Sequence, residues 1–275
     1  MSELSRKPAP RIVAVANQKG GVGKTTTTIN VAAAMAGRGV RVLIVDLDPQ
    51  GNASTGLGIT NDRRDVTSYD LLVSDVTLEQ AVQSTNVPNL LICPANSDLS
   101  STDVDLVAHE KRSFLLYDAL RQPAMEAFGL DFILIDCPPS LSLLTVNALI
   151  ASHSVLIPLQ AEFFALEGLS QLLQSIRQIR RTANPSLRIE GVVLTMFDGR
   201  NRLCHQVEAD ARATLGELVF KTVIPRNVRV GEAPSFAMSV LQYDSASKGS
   251  EAYRALTGEL LGRYPIAPAE REVAR

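Results

Sequence analysis

The stretch "NQKGGVGKTTTT", Asn17 to Thr28, holds three glycines, two lysines and a run of hydroxyls within a dozen residues. Glycines 20, 21 and 23 free the backbone amides to turn inward around an anion, and a helix starting near Lys24 adds its positive end. This chemistry suits a nucleoside triphosphate. Gly20, Gly21, Val22 and Gly23 form the cradle, Lys24 neutralises the β- and γ-phosphates, Thr25 ligates Mg²⁺ and Thr26 reaches the α-phosphate. The pattern G-x-x-x-x-G-K-[ST] is not met in full, because Gln18 stands where a glycine is required. Lys19 is a second lysine for which that pattern has no use. The dinucleotide fingerprint G-x-G-x-x-G fits worse, since "GGVGKT" breaks it and the G-K-T triplet is left unexplained.

Carboxylates follow at two strand ends. "DFILID" delivers Asp136, suited to hold Mg²⁺ through water, and the "CPP" after it makes a stiff exit. "DLDPQGNAS" offers Asp46 and Asp48, whose i, i+2 spacing on an extended chain directs both the same way. Asp48, nearer the loop, is the candidate to position or activate an attacking water; Asp46 is a candidate Mg²⁺ ligand or support for the loop. His109, His153 and His205 stand apart from metal-ligand spacing. Cys93, Cys137 and Cys204 are odd in number and widely spaced, which argues against a disulfide framework or a cluster site and for buried thiols.

The elements needed to place these residues are those of an α/β fold. Short apolar, β-branched runs at 11–17, 41–48, 89–95, 131–139, 154–160, 189–197 and 219–225 alternate with helix-like segments at 24–37, 114–127, 140–152, 163–183, 201–217 and 246–262. Such alternation predicts a single doubly wound domain, residues 11–264, with a mostly parallel sheet covered by helices on both faces and loose tails at 1–10 and 265–275. At 275 residues and 45 % apolar the chain is long enough for a large core. No apolar run reaches the roughly 18 residues of a membrane span, and the first ten residues do not resemble a signal peptide, so a cytoplasmic location is expected. The three polar clusters all fall at the carboxyl edge of the expected sheet, where ligands of such folds bind.

Net charge is −2, yet Gln171 to Gly231 carries ten basic residues against five acidic, leaving −7 for the remainder. A weakly acidic chain with this distribution presents one basic face.

The segments "NQKGGVGKTTTTINVAAAMA", "VLIVDLDPQGNASTGLG", "FILIDCPPSLSLLTVNALIAS", "FFALEGLSQLL", "VVLTMFDGR" and "KTVIPRNVRVGEAPS" resemble the ParA/Soj partition ATPases of the deviant Walker A group, which includes MinD. The resemblance runs through essentially the whole domain. It implies a P-loop ATPase of weak intrinsic activity that uses ATP and Mg²⁺ and forms a homodimer with ATP sandwiched between subunits. Lys19 would then contact the phosphates bound by the partner, Lys24 and Thr25 would serve in cis, Asp48 would be needed for hydrolysis, and Asp136 would be the Walker B carboxylate. Met196, Pro225 and Asn227 would lie at the adenine. It further implies non-specific double-stranded DNA binding through Arg200 and Arg229, with Arg202, Arg226, Lys248 and Arg254 as neighbours, a ParB-like partner that stimulates hydrolysis, and nucleoid association. A MinD-like membrane positioner would need an amphipathic C-terminal anchor, which "RYPIAPAEREVAR" does not resemble. An iron–sulfur reductase would need paired cysteines. A ParA-like ATPase acting on a protein cluster stays open at this point.

Overall fold

Seven strands build one sheet: β1 (Arg11–Val15), β2 (Val42–Asp46), β3 (Gln83–Ser84), β4 (Leu90–Cys93), β5 (Phe132–Asp136), β6 (Ser154–Gln160) and β7 (Arg188–Thr195). Their spatial order is β3-β4-β2-β5-β1-β6-β7. Every neighbouring pair is parallel except the antiparallel β3–β4 edge. These coordinates are a computed structural model that describes residues 8–162 and 165–264. Residues 1–7 and 265–275 of the expected tails lie outside the described residues, as do the first two positions of the expected helix 163–183. The expectation that no anchor is present rests on 263–275 and so falls mostly outside them too.

The central strands are apolar over most of their length because both faces are covered. Along β1, Ile12 and Ala14 enter one core while Val13 and Val15 enter the other. In β5, Ile133 and Ile135 oppose Phe132 and Leu134 in the same way. Each such Val, Ile, Leu or Phe side chain, once fully buried, contributes about 1.5–3 kcal/mol. The two cores thus hold the central strands from both sides and fix their register against slippage.

Register decides the site. Val15 pairs with Asp136, and Asp46 also pairs with Asp136, so β1, β5 and β2 end together at the carboxyl edge. The loop after β1 leads into the helix Lys24–Ala36, whose buried residues are Lys24 and the run from Thr27 to Ala36. Its side chains tie it to the C-terminal half. The Asn30 carboxamide oxygen accepts from the Val240 amide at 2.7 Å, and its nitrogen donates to the Thr26 carbonyl at 2.7 Å.

Two expected elements form differently. The segment 219–225 forms no continuous strand: it meets β7 and the residues just after it at isolated bridges, Val192–Val219 and Phe197–Pro225, and through the Phe220 and Ile224 amides, which donate to the Val192 and Leu194 carbonyls at 2.9 and 2.8 Å. Between them the Glu259 carboxylate accepts from the Lys221 and Thr222 amides at 2.8 and 2.7 Å, taking donors that a ladder would use. The expected helix 114–127 splits into a short helix, Leu115–Ala119, and a 3₁₀ segment, Pro123–Phe128. Pro123 forces this, since the residue before it is pushed out of the helical region and Gln122 sits at ψ 143°.

Gly191 in β7 lies under the Phe220 ring, and a Cβ there would come within 2.4 Å of it. Gly191→Ala is therefore expected to destabilise the fold by about 1–3 kcal/mol through overpacking. Urea unfolding checks this, and an unchanged midpoint would remove the ring contact as a constraint.

Candidate functional site

The loop after β1 is held at both ends before any ligand arrives. Asn17 donates to the Pro158 carbonyl at 2.7 Å and accepts from the Lys19 amide at 3.1 Å. Thr195 at the end of β7 donates to the Val22 carbonyl at 2.8 Å. Gly21 and Gly23 take φ of 74° and 85°, a left-handed backbone that side-chain-bearing residues rarely adopt. Lys24 is buried, and its ammonium donates to the Lys19 carbonyl at 3.0 Å, closing the loop on itself. Burial pushes the Lys24 ammonium below its ordinary range, with Asp136 opposing the shift.

The helix Lys24–Ala36 begins with no side-chain cap and no acidic residue in its first turn. Its leading amides and the Lys24 charge are thus available to an anion, and the cradle fits a polyphosphate. Thr25 Oγ1 donates to Asp136 Oδ2 at 2.7 Å, and Thr28 Oγ1 donates to Asp136 Oδ1 at 3.0 Å. Thr28 had no sequence signal beyond its place three residues after Thr25, one turn along the same helix face.

Asp46 and Asp48 diverge in role. Asp46 is fully buried; its Oδ1 accepts from the Asp48 amide at 3.2 Å, and its Oδ2 accepts from the Ser54 amide and hydroxyl at 2.9 and 2.7 Å. Asp48 lies two residues past the strand and is 8 % exposed, with Oδ1 accepting from the Gln50 amide at 3.0 Å. Burial pushes both the Asp46 and Asp136 carboxyls up, and the Asp46 charge adds to the effect on Asp136. A divalent cation beside Asp136 and Thr25 would reverse that penalty, so this donor set fits Mg²⁺.

Lys19 behaves unlike Lys24. Its side chain is 42 % exposed and forms an ion pair with Glu162 in the loop after β6. Glu162 had no sequence signal. At the adenine candidates, the Phe197–Pro225 bridge brings the end of β7 alongside Pro225–Asn227. Met196 there takes φ 52°, which is uncommon for a residue with a side chain. Asn227 caps the helix Val228–Glu232 by accepting from the Val230 amide at 3.3 Å.

The basic candidates form two local groups. Arg200 grips Asp198 with two hydrogen bonds, at 3.0 and 3.1 Å, and Arg226 adds its charge to the same carboxylate. The Arg200 fork pulls the Asp198 carboxyl down to about 2. Arg202 opens the helix Arg202–Leu215 and is exposed. Arg229 pairs with Glu232 at 3.0 Å and with Asp244 at 3.5 Å. Lys248 begins the helix Lys248–Leu261, whose second residue, Gly249, packs under Val230 and Asn227. Arg254 is spent in part on the Ser245 carbonyl at 2.6 Å. The three cysteines are free and buried, and the His153 Nδ1 accepts from the Ile12 amide at 3.0 Å.

Residues 10–189 match the family described as an AAA domain. The chain is 52 % identical over 254 residues to "Chromosome partitioning protein ParA" of Caulobacter vibrioides, covering 92 % of this chain and 94 % of the relative. It is 49 % identical over 257 residues to "Chromosome-partitioning ATPase Soj" of Thermus thermophilus, covering 94 % and 98 %. A crystal structure of cobyrinic acid a,c-diamide synthase from Mycobacterium smegmatis with bound ATP analogue and magnesium superposes with a TM-score of 0.81 at 37 % identity, covering 92 % and 94 %.

The buried carboxyls set a pH dependence. Asp136 holds its proton more tightly folded than unfolded, so its contribution is fully present below the ordinary carboxyl range and is lost as pH rises through the higher folded value. Without nucleotide or Mg²⁺, Asp136→Asn is expected to flatten the fall in stability between about pH 5 and pH 8. Urea midpoints at the two ends read this, and a steeper fall in the variant would contradict it.

Proposed function

This chain belongs to the ParA/Soj family of partitioning ATPases, and from that premise we propose that it is an ATP-dependent dimerising switch that holds DNA without sequence preference until hydrolysis releases it. ATP and Mg²⁺ are its ligands. The observation that carries the reading is the division between the two loop lysines: Lys24 is buried within the cradle, whereas Lys19 is half-exposed and paired to a carboxylate outside it.

Lys24 and the loop amides of Gly20 to Gly23 hold the phosphates of the chain's own nucleotide, with Thr26 at the α-phosphate. Thr25 and Asp136 would hold Mg²⁺, which would supply neutralisation of phosphate charge. Asp46 fixes the turn that carries Asp48 through its bonds to Ser54 and the Asp48 amide. Asp48 orients the attacking water. Lys19 exchanges Glu162 for the phosphates of the partner subunit, so a second copy is favoured only while the γ-phosphate is present. Met196, Pro225 and Asn227 line the adenine.

The DNA surface is assembled from Arg200, Arg202, Arg226, Arg229, Lys248 and Arg254 of two subunits. Arg200 and Arg229 enter it already paired with carboxylates, and exposed pairs of this kind are weak, so a phosphate displaces them readily. A ParB-like centromere-binding protein stimulates hydrolysis, and the ATP form resides on the nucleoid.

Co-sedimentation with DNA in ATP, in ADP and without nucleotide tests the reading. Retention is expected in ATP alone, lost in Lys19→Ala and Arg229→Ala, and prolonged in Asp48→Ala. Log affinity is expected to fall against log salt with a slope near −0.9 per neutralised phosphate. Equal retention in ADP and ATP would overturn the switch.

A further inference from the structure

Arg64 lies outside every motif that the loop, the strand ends or the basic surface define. Its neighbours Asp62, Arg63 and Asp65 are exposed, while Arg64 turns inward beneath the turn that follows Asp48. Its guanidinium donates twice to the Ile59 carbonyl, from Nε at 3.1 Å and Nη2 at 2.7 Å. Nη1 donates to the Ala95 carbonyl at 3.1 Å, and Nη2 donates to Thr55 Oγ1 at 2.8 Å and, at 3.5 Å, to the Gly51 carbonyl. One side chain thus joins the Asp48 turn, the helix Asn52–Gly56 with its exit, and the segment leaving β4.

All of these acceptors are neutral. An inward arginine that meets only carbonyls and a hydroxyl gains little stability over an apolar filler. It does gain geometry, because the planar fork fixes several acceptors relative to one another, which a lysine does not do. The seat is also kept clear for it. Gly51 takes φ 61°, and a Cβ there would come within 2.3 Å of Arg64 Nη1 and 3.2 Å of the Ala95 carbonyl.

The bonds connect directly to the acidic end of β2. Ala95 is held through both of its backbone groups: its carbonyl accepts from Arg64 Nη1, and its amide donates to Ser54 Oγ at 3.0 Å. That same Ser54 hydroxyl donates to Asp46, and Asp46 in turn accepts from the Asp48 amide. On the other side of the turn, the Gly51 amide donates to the Asp48 carbonyl at 2.8 Å, while the Gly51 carbonyl faces Arg64. Asp48 is therefore suspended between two arms that both end at one guanidinium. No hydrogen bond of Arg64 among the described residues reaches Lys24, Thr25 or Asp136.

We propose that Arg64 is a positioning residue for ATP hydrolysis, holding the Asp48 turn in the geometry that orients the attacking water, with Gly51 as the residue that makes room for it. The inference rests on the role of Asp48 given above. Its signature is a loss in turnover without a loss in nucleotide binding, because the phosphate cradle is built from other residues.

The test compares Arg64→Lys, Arg64→Gln, Gly51→Ala and Asp48→Ala, alone and as Arg64→Gln with Asp48→Ala. Steady-state ATP hydrolysis gives kcat, titration with a non-hydrolysable ATP analogue gives Kd, and thermal melting confirms folding. Arg64→Lys keeps the charge and the aliphatic stem, so it serves if Arg64→Gln does not fold. The arginine and glycine variants are expected to lower kcat by about 10- to 100-fold, the scale of a misplacement near 1 Å, with Kd within about twofold of the parent. Arg64→Gln is expected to add nothing once Asp48 is alanine, since residues acting as one unit are not additive. Unchanged kcat in folded Arg64→Lys, a matching loss in Kd, or full multiplication of the Arg64 and Asp48 effects would each overturn the inference while leaving Asp48 in place. Parent-level kcat in Asp48→Ala would remove the assigned role of Asp48 and the inference together.

Discussion

Everything at the carboxyl edge of this sheet depends on one junction, where a fully buried aspartate at the end of β5 accepts hydroxyl hydrogen bonds from two threonines of the adjoining helix. Asp136 has little freedom to move, because β1 pairs with β5 on one side and β2 on the other. Thr25 and Thr28 then fix where the helix begins relative to the sheet, and the helix start sets the loop that precedes it. Burying a carboxylate is costly and the Asp46 charge adds to that cost, which is why its ordinary ionisation is displaced upward. The same arrangement is therefore poor for isolated stability and good for capturing a metal-bound polyphosphate. Proteins commonly sacrifice stability of this kind at sites of function.

Around that junction two chemistries sit on separate scaffolds. The loop between β1 and the helix Lys24–Ala36 is bound to β6 through Asn17 and to β7 through Thr195, so it shares the rigidity of the central sheet. The turn carrying Asp48 is held by another set of side chains, those of Asp46, Ser54 and Arg64, together with backbone bonds from Leu47 to Asp136 and from Gly51 to Asp48. The layout gives the phosphate loop and the Asp48 turn separate supports.

The sheet, its helices and the phosphate loop were legible because their signals are local. β5 is apolar at consecutive positions since both cores cover it, and glycine, lysine and threonine follow β1 at the spacing an anion requires. What escaped was set by contacts distant in sequence. Four threonines in a row give no means of choosing Thr28, whose partner lies 108 residues away. The i, i+2 reading of Asp46 and Asp48 assumed an extended chain, yet β2 stops at Asp46, and Ser54 lies eight residues on. Segment 219–225 has the composition of a strand, and its pairing with β7 is interrupted at Lys221 and Thr222 by Glu259, on a helix whose sequence says nothing about β7. The carboxylates beside Arg200 and Arg229 were closer at hand, two and three residues away, and local charge pairing was the signal for them.

The Glu259 carboxylate has one more consequence. An edge strand with free amides invites a strand from another chain, and long parallel sheets are exposed to that kind of stacking. Beside β7, the Lys221 and Thr222 amides are already occupied by a side chain, and Pro225 offers no amide at all. At the opposite margin β3 is only two residues long. Both flanks of the sheet are thereby blunted against sideways growth into fibres.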